Sequence, residues 1–370
     1  MKILLGGVPL GCNNIGDEAI LAGVVGMLRK TVPGAELAVA TADRATAGLL
    51  GVEVLPPYGF KGVAVRELGR VAGRFDAYVW CGATGLSDYP HVGLDLLEAV
   101  QGAGAATFVW GVGMDDELNP AFFRVAGKKK ALLGALGLVG AWERRLRGRL
   151  AARMSKILPR CKGVWVRDPE SAEVLASTGF TGAGVTADSA VDFSVRTIKR
   201  RAGRRLGLCI STQRQVADLE GVKRLVAAVE ASGGEVLGIP MNPKTDRALM
   251  EAMGVECMAG DTPEAVREAA SGCAVVLSSR LHLLILAANE GTPGLGVARG
   301  SKIANWLANF GEKPLGTVGE CDWVAATRRV LAALDGEGAE DWERLRAAAY
   351  ARLAARFEAA RAELAEKLKR

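Results

Sequence analysis

The chain has only two histidines in 370 residues, His91 and His282. Its seven cysteines form no Cys-x-x-Cys pair and no metal-type spacing. An odd number of cysteines, mostly inside apolar stretches, fits reduced thiols in a cytoplasm rather than a disulfide scaffold. No metal site is therefore expected. No apolar run reaches the roughly eighteen residues a membrane span needs. The opening stretch Met1–Gly7 resembles a signal core, but it is too short and polar residues follow at once, so it reads as a first buried strand. No Gly-x-Gly-x-x-Gly follows that strand, which argues against a nicotinamide enzyme, and no cofactor is expected. Aromatic residues make up 5% of the chain and do not interleave the basic stretches, so no nucleic-acid partner is expected. There is no tandem repeat and no low-complexity tract.

What is present is a globular composition, 49% apolar and 24% charged, on a chain long enough for two cores. Short β-rich runs alternate with helical ones. Strands are expected at 2–8, 36–40, 52–55, 77–80, 106–111 and 163–166, then at 206–211, 235–239, 255–258, 274–277, 295–298 and 314–318. That alternation implies parallel sheets wrapped by helices on both faces, an α/β fold with two Rossmann-like doubly wound domains. The domains are expected at 1–195 and 206–335, joined by the basic, pattern-free segment 196–205. An amphipathic helix, 341–370, closes the chain and is expected to pack across the domain boundary.

The segment Ser278–Gly311 organises the second half. A hydrophobic strand runs into Ser278-Ser279-Arg280-Leu281-His282, then a helix, a short strand after Pro293, and a helix opening at Ser301-Lys302. Ligands of such sheets bind beyond the carboxyl ends of the strands. Arg280 and Lys302 there suit a multiply charged anion, and His282 adds proton chemistry near neutral pH. At the amino end, Gly11-Cys12-Asn13-Asn14-Ile15-Gly16-Asp17-Glu18 forms a turn before a helix. Its backbone N–H groups suit an anion, while Asp17 suits either a helix cap or a proton acceptor. His91 follows Pro90 at the start of another expected helix.

Three of these stretches, in order, resemble the polysaccharide pyruvyl transferase family. They are Asn14-Ile15-Gly16-Asp17-Glu18, Val164-Trp165-Val166-Arg167-Asp168, and Arg280-Leu281-His282 with its Lys302-led helix. The loop from Pro240 to Asp246 resembles the family's proline-then-aspartate loop. The resemblance runs from residue 1 to about residue 330. It implies phosphoenolpyruvate as donor and a sugar diol of a cell-surface glycan precursor as acceptor; the two domains are expected in a GT-B-like arrangement, and the basic helix 142–158 raises a lipid-linked acceptor as one expectation. That chemistry suits His282 as general acid, Asp17 as base for the sugar hydroxyl, and substrate contacts from Arg280, Arg167, Arg214, Lys302, Asn14, Gly16 and Ser279, with Arg280, Arg167 or Arg214, and Lys302 on the donor's anionic groups. Two departures stand out. Cys81 and Ala83 flank Gly82 where the family has a glycine run, and Gly300-Ser301 precede Lys302 where the family has Asp-Pro. A nucleotide-sugar glycosyltransferase, or a binding protein on the same fold, remains the alternative.

The total charge of +6 hides a local excess. Residues 124–162 hold twelve Lys and Arg against one acid, Glu143, a local charge of +11. Within them, 142–158 reads as an amphipathic helix with Trp142, Leu146, Leu150 and Met154 on one face. One expectation is that this stripe meets a membrane surface; the other is that it packs on its own domain.

Overall fold

The computed structural model describes residues 1–8, 10–194, 203–211, 219–317 and 319–370. Its contacts divide it into two units. Unit 1 comprises Met1–Gly11, Val24–Asp188 and Arg356–Arg370; unit 2 comprises Cys12–Gly23 and Ser189–Ala355.

The first half of the chain supplies β1 (Lys2–Gly6), α1 (Ile15–Thr31), β2 (Glu36–Ala40), α2 (Arg44–Leu49), β3 (Glu53–Leu55), α3 (Val65–Val71), β4 (Ala77–Cys81), α4 (Gly85–Asp88), α5 (Pro90–Gly102), β5 (Ala106–Val112), α6 (Pro120–Phe123), α7 (Gly127–Ala135), α8 (Val139–Ile157), β6 (Gly163–Val166), α9 (Pro169–Ser177) and β7 (Gly184–Val185). The seven strands form one parallel sheet in the order β3-β2-β1-β4-β5-β6-β7. β4 is buried along its whole length, as a central strand covered on both faces must be. Trp80 and Trp110 are fully buried at its core. The end of the chain joins this core: Phe357 meets the Trp110 ring edge-on, and Glu363 accepts a hydrogen bond from the Trp165 indole at 3.0 Å.

The second half supplies β8 (Arg205–Cys209), α10 (Leu219–Ala231), β9 (Glu235–Gly238), α11 (Asp246–Glu251), α12 (Pro263–Ser271), β10 (Val275–Ser278), α13 (Leu281–Asn289), β11 (Gly294–Gly296), α14 (Ser301–Ala308), α15 (Trp323–Leu334) and α16 (Ala339–Lys369). The sheet order is β11-β10-β8-β9, all parallel. Two single bridges extend it, Cys257 beside Gly238 and Thr317 beside Ala298. These are what remains of the strands expected at 255–258 and 314–318. At the second, Pro314 lacks a donor and Gly316 adopts φ 134°, so no regular ladder can form. Counting both bridges, unit 2 repeats the strand order of unit 1's first six. In each unit the order reverses at one point: between β1 and β4, and between β8 and β10.

Two local expectations shift. α1 begins at Ile15, so Asp17 stands inside its first turn rather than capping it. Most of the expected linker, 196–205, lies outside the described residues, but Arg205 opens β8. Its guanidinium pairs with Glu235, its neighbour on β9.

The stripe of α8 expected at a membrane is core. Leu150, Met154 and Ile157 are buried, and Leu146 is half-buried against the same cluster. Its Arg153 pairs with Asp95 on α5 at 2.6 Å. Packing on α5 takes Leu150, Met154 and Ile157 out of reach of an outside partner, while Trp142 at the start of the stripe is half-buried. Among the described residues, no helix is long and apolar enough to cross a membrane.

Candidate functional site

In unit 2 the reversal point lies between the carboxyl ends of β8 and β10. Ser279 follows β10 and is buried; its hydroxyl accepts the Ser211 N–H at 2.9 Å, tying the two strand ends together. Ser278 accepts the Arg280 N–H and so shapes the turn into α13. Arg280 stands just before that helix, and its side chain provides no cap. The first N–H groups of α13 thus have no cap from Arg280, and they carry the positive end of the helix dipole.

The Arg280 guanidinium is not free-standing. Nε and Nη2 fork onto Asp246 at 3.0 and 2.7 Å. Asp246 is 1% exposed and opens α11. Its carboxylate also accepts the Asn242 N–H at 2.9 Å and the Thr245 hydroxyl at 3.1 Å. The fork leaves Nη1 for a ligand and fixes the plane in which it lies. Burial and the Asp246 carboxylate push the adjacent Cys209 thiol up, so Cys209 acts as a small hydrophobe here.

His282 lies on the first turn of α13 and is half-buried. Its ring rests on Gly16: a β-carbon built on Gly16 would fall 2.1 Å from His282 Nδ1. Only glycine permits this approach. The turn that carries Gly16 is itself held from unit 2, because the Ile15 N–H donates to Met241 O at 3.0 Å. A closed circuit results: Ile15 to Met241, Asn242 to Asp246, Asp246 to Arg280, then along α13 to His282 and back to Gly16. Asn14 precedes the helix, and its carbonyl accepts the N–H groups of Asp17 and Glu18. Asp17 is 4% exposed in the first turn, where the dipole favours its negative charge.

Lys302 stands in the first turn of α14, after β11, the neighbour of β10. Gly300 precedes this helix with φ 146° and ψ 179°, a conformation confined in practice to glycine. An aspartate at that position would be strained. Arg214 lies outside the described residues.

Arg167 belongs to unit 1 and has its own partners. It is buried, donates to Asp168 at 2.9 Å and lies 3.8 Å from Asp188. Burial opposes its charge, but the carboxylates of Asp168, Asp188 and Asp115 outweigh this and raise its pKa. Asp168 in turn accepts the Ser171 N–H and caps α9. His91 is also in unit 1, stacked on Phe123 at 5.4 Å, and burial lowers its pKa. Among the described residues no cluster of His, Cys, Asp or Glu could hold a metal.

Asp246 is the residue whose role sequence reasoning understated. Its signal was the Pro240–Asp246 loop, but nothing local shows that its carboxylate reaches a residue 34 positions away.

These features define a protein of two Rossmann-like units, the second carrying Arg280, His282 and Lys302 beyond its strand ends. The sequence profile of the polysaccharide pyruvyl transferase family matches residues 14–301, and the chain belongs to that family. No curated protein matches it. Among solved structures it is similar to a putative UDP-N-acetylglucosamine 2-epimerase from Listeria monocytogenes, with 13% identity over 92% of this chain and 89% of that one, TM-score 0.58. It is also similar to Anabaena HepE in complex with UDP-glucose, with 14% identity over 96% and 95%, TM-score 0.59. A third is the spinosyn rhamnosyltransferase SpnG, with 15% identity over 95% and 96%, TM-score 0.52. At these identities the likeness is one of fold, and the fold is of the GT-B class.

Proposed function

We propose that this transferase moves the pyruvyl group of phosphoenolpyruvate onto two hydroxyls of a sugar in a cell-surface glycan precursor, forming a cyclic ketal. The contact between Gly16 and His282 carries the reading: it sets one proton-bearing side chain at the reversal point of unit 2, beside a pre-oriented arginine and a helix N-terminus. In this reading the Arg280 Nη1 edge and the α13 N-terminus take the donor carboxylate or phosphate, and Lys302 with the α14 N-terminus takes the other.

His282 protonates the enol methylene, and positive charge develops on the neighbouring carbon. One sugar hydroxyl attacks that carbon and gives its proton to Asp17, the carboxylate next to Gly16. The second hydroxyl displaces phosphate, which leaves carrying the remaining proton. No redox step and no cofactor are required. Arg167 and Arg214, the other guanidinium groups the family resemblance brings forward, would act on the acceptor side or through their neighbours.

The test is phosphorus NMR of phosphoenolpyruvate with the protein and a panel of sugar acceptors. Acceptor-dependent phosphate release, together with an acceptor product carrying a ketal-linked pyruvate by mass spectrometry, is the expected result. Hydrolysis of a nucleotide sugar with no turnover of phosphoenolpyruvate would replace this reading with glycosyl transfer. Among the described residues that second reading has only a poor ribose-binding candidate: Glu290 lies at the far end of α13 from His282 and accepts a hydrogen bond from Arg267 Nε.

A further inference from the structure

The α7–α8 hairpin of unit 1 has two unlike ends. At the far end of α8, Arg153 and Lys156 pair with Asp95 and Glu98 of α5, and the apolar side chains are core. At the near end the covering is thin: α7 has no buried residue, and Leu133, Val139 and Trp142 are only half-buried. Leu132 is 65% exposed, Leu136 61% and Leu138 46%. Leu132 and Leu136 are four apart and share one face of α7. Eight large apolar side chains are exposed among the described residues, and four of them, Phe122 and these three leucines, fall between residues 122 and 138. That is a cluster, not the scatter an ordinary surface carries.

Cations frame the cluster. Lys128 and Lys130 are exposed and make no ion pair among the described residues, and the same holds for Arg144, Arg145, Arg147 and Arg149 on the first half of α8. Lys129 sits 3.9 Å from the Trp142 ring, which joins the two helices. Glu143, the one acid of the region, is engaged with the Val125 N–H at 3.0 Å.

We propose that α7 and the turn after it dock the protein on an anionic lipid bilayer, the leucines entering the headgroup boundary and the lysines and arginines meeting lipid phosphates. Apolar side chains ringed by uncompensated positive charge complement such a surface in both respects, and lipid acyl chains accept leucine where a soluble polyanion does not. The docking element is thus α7, not the buried stripe of α8. The inference does not rest on the proposed reaction.

The test is flotation of the full chain with phosphatidylcholine vesicles, with and without a third of phosphatidylglycerol, at low and high salt. Expected is binding to the anionic vesicles that weakens as salt rises, and that falls about tenfold or more in the Leu132→Ser/Leu136→Ser/Leu138→Ser variant. Lys128→Gln/Lys129→Gln/Lys130→Gln should weaken it as well. None of these side chains is buried, so an unchanged melting temperature checks the fold of each variant. Absence of vesicle binding overturns the proposal. So does equal binding by the leucine variant, which would mean attraction by charge alone. Concentration-dependent dimerisation lost in the leucine variant, without vesicle binding, would assign the face to a second copy instead.

Discussion

The His282 ring and the α-carbon of Gly16 occupy adjoining space so closely that a methyl group on Gly16 would lie 2.1 Å from His282 Nδ1. Residues 266 positions apart are thereby made into one unit of structure, and a larger residue at position 16 must displace the ring.

Gly16→Ala should therefore act through His282. The added methyl improves helix propensity but must push the ring aside, at a net cost of about 1–2 kcal/mol. Turnover should fall about tenfold or more, while His282→Gln lowers it about a hundredfold. The two effects should be strongly non-additive, with Gly16→Ala costing little in the His282→Gln background. Steady-state kinetics of the two single variants and the double variant would check this; full additivity would separate Gly16 from the histidine.

Asp246→Asn removes the charge that orients Arg280. Breaking a buried fork costs several kcal/mol, and because Arg280 keeps some solvent contact, a loss of about 3 kcal/mol is expected. Urea midpoints measure it. Phosphoenolpyruvate affinity should weaken as well, since the guanidinium would no longer be held in its plane. Unchanged affinity would show that Arg280 binds without that guide.

Acid should loosen unit 1 through Asp168. Burial raises its pKa, but Arg167 and the Ser171 hydrogen bonds outweigh this and hold it below the ordinary aspartate value. The unfolded chain therefore takes up the proton first, and the stabilisation, complete above about pH 4, is lost as pH falls through the depressed folded value. Asp168→Asn keeps a capping oxygen for α9 and removes the charge. It should cost about 1–2 kcal/mol at neutral pH, a gap that closes progressively below pH 4 in thermal melts. A gap independent of pH would assign the effect to packing.

Glu290→Gln distinguishes the two enzymatic readings. Arg267 retains Asp192 at 2.9 Å, so stability should fall by only about 1 kcal/mol. Donor KM should not move. A large rise in KM for a nucleotide sugar would show Glu290 at a ribose.

Much of the fold was legible because a buried parallel strand must be apolar along its length. Ala77–Cys81 and Val275–Ser278 announce themselves that way. At the sheet's edges the same reading overshot: 255–258 and 314–318, expected as strands, are single bridges. In the site, residue types and their motif positions were readable: Arg280, His282 and Lys302 do stand at strand ends. Their partners were not, because pairing over long sequence separations leaves no local trace. The α8 stripe shows the same limit. Periodicity marks one apolar face but does not say whether protein or lipid covers it, and Leu150 and Met154 went to the core.

The turn that carries Gly16 has a consequence for how this chain must be made. Cys12–Gly23 belongs to unit 2, yet the rest of that unit begins at Ser189. A ribosome releases these twelve residues early, and His282 follows only after most of the chain has emerged. The first turn of α1 thus waits through the synthesis of unit 1 for the surface it packs on. No contiguous fragment reproduces unit 2: a piece starting at Ser189 would leave the His282 ring without its floor and Met241 without its donor. Splitting or permuting the chain so that Cys12–Gly23 stays covalently ahead of Ser189 is the way to study that half by itself.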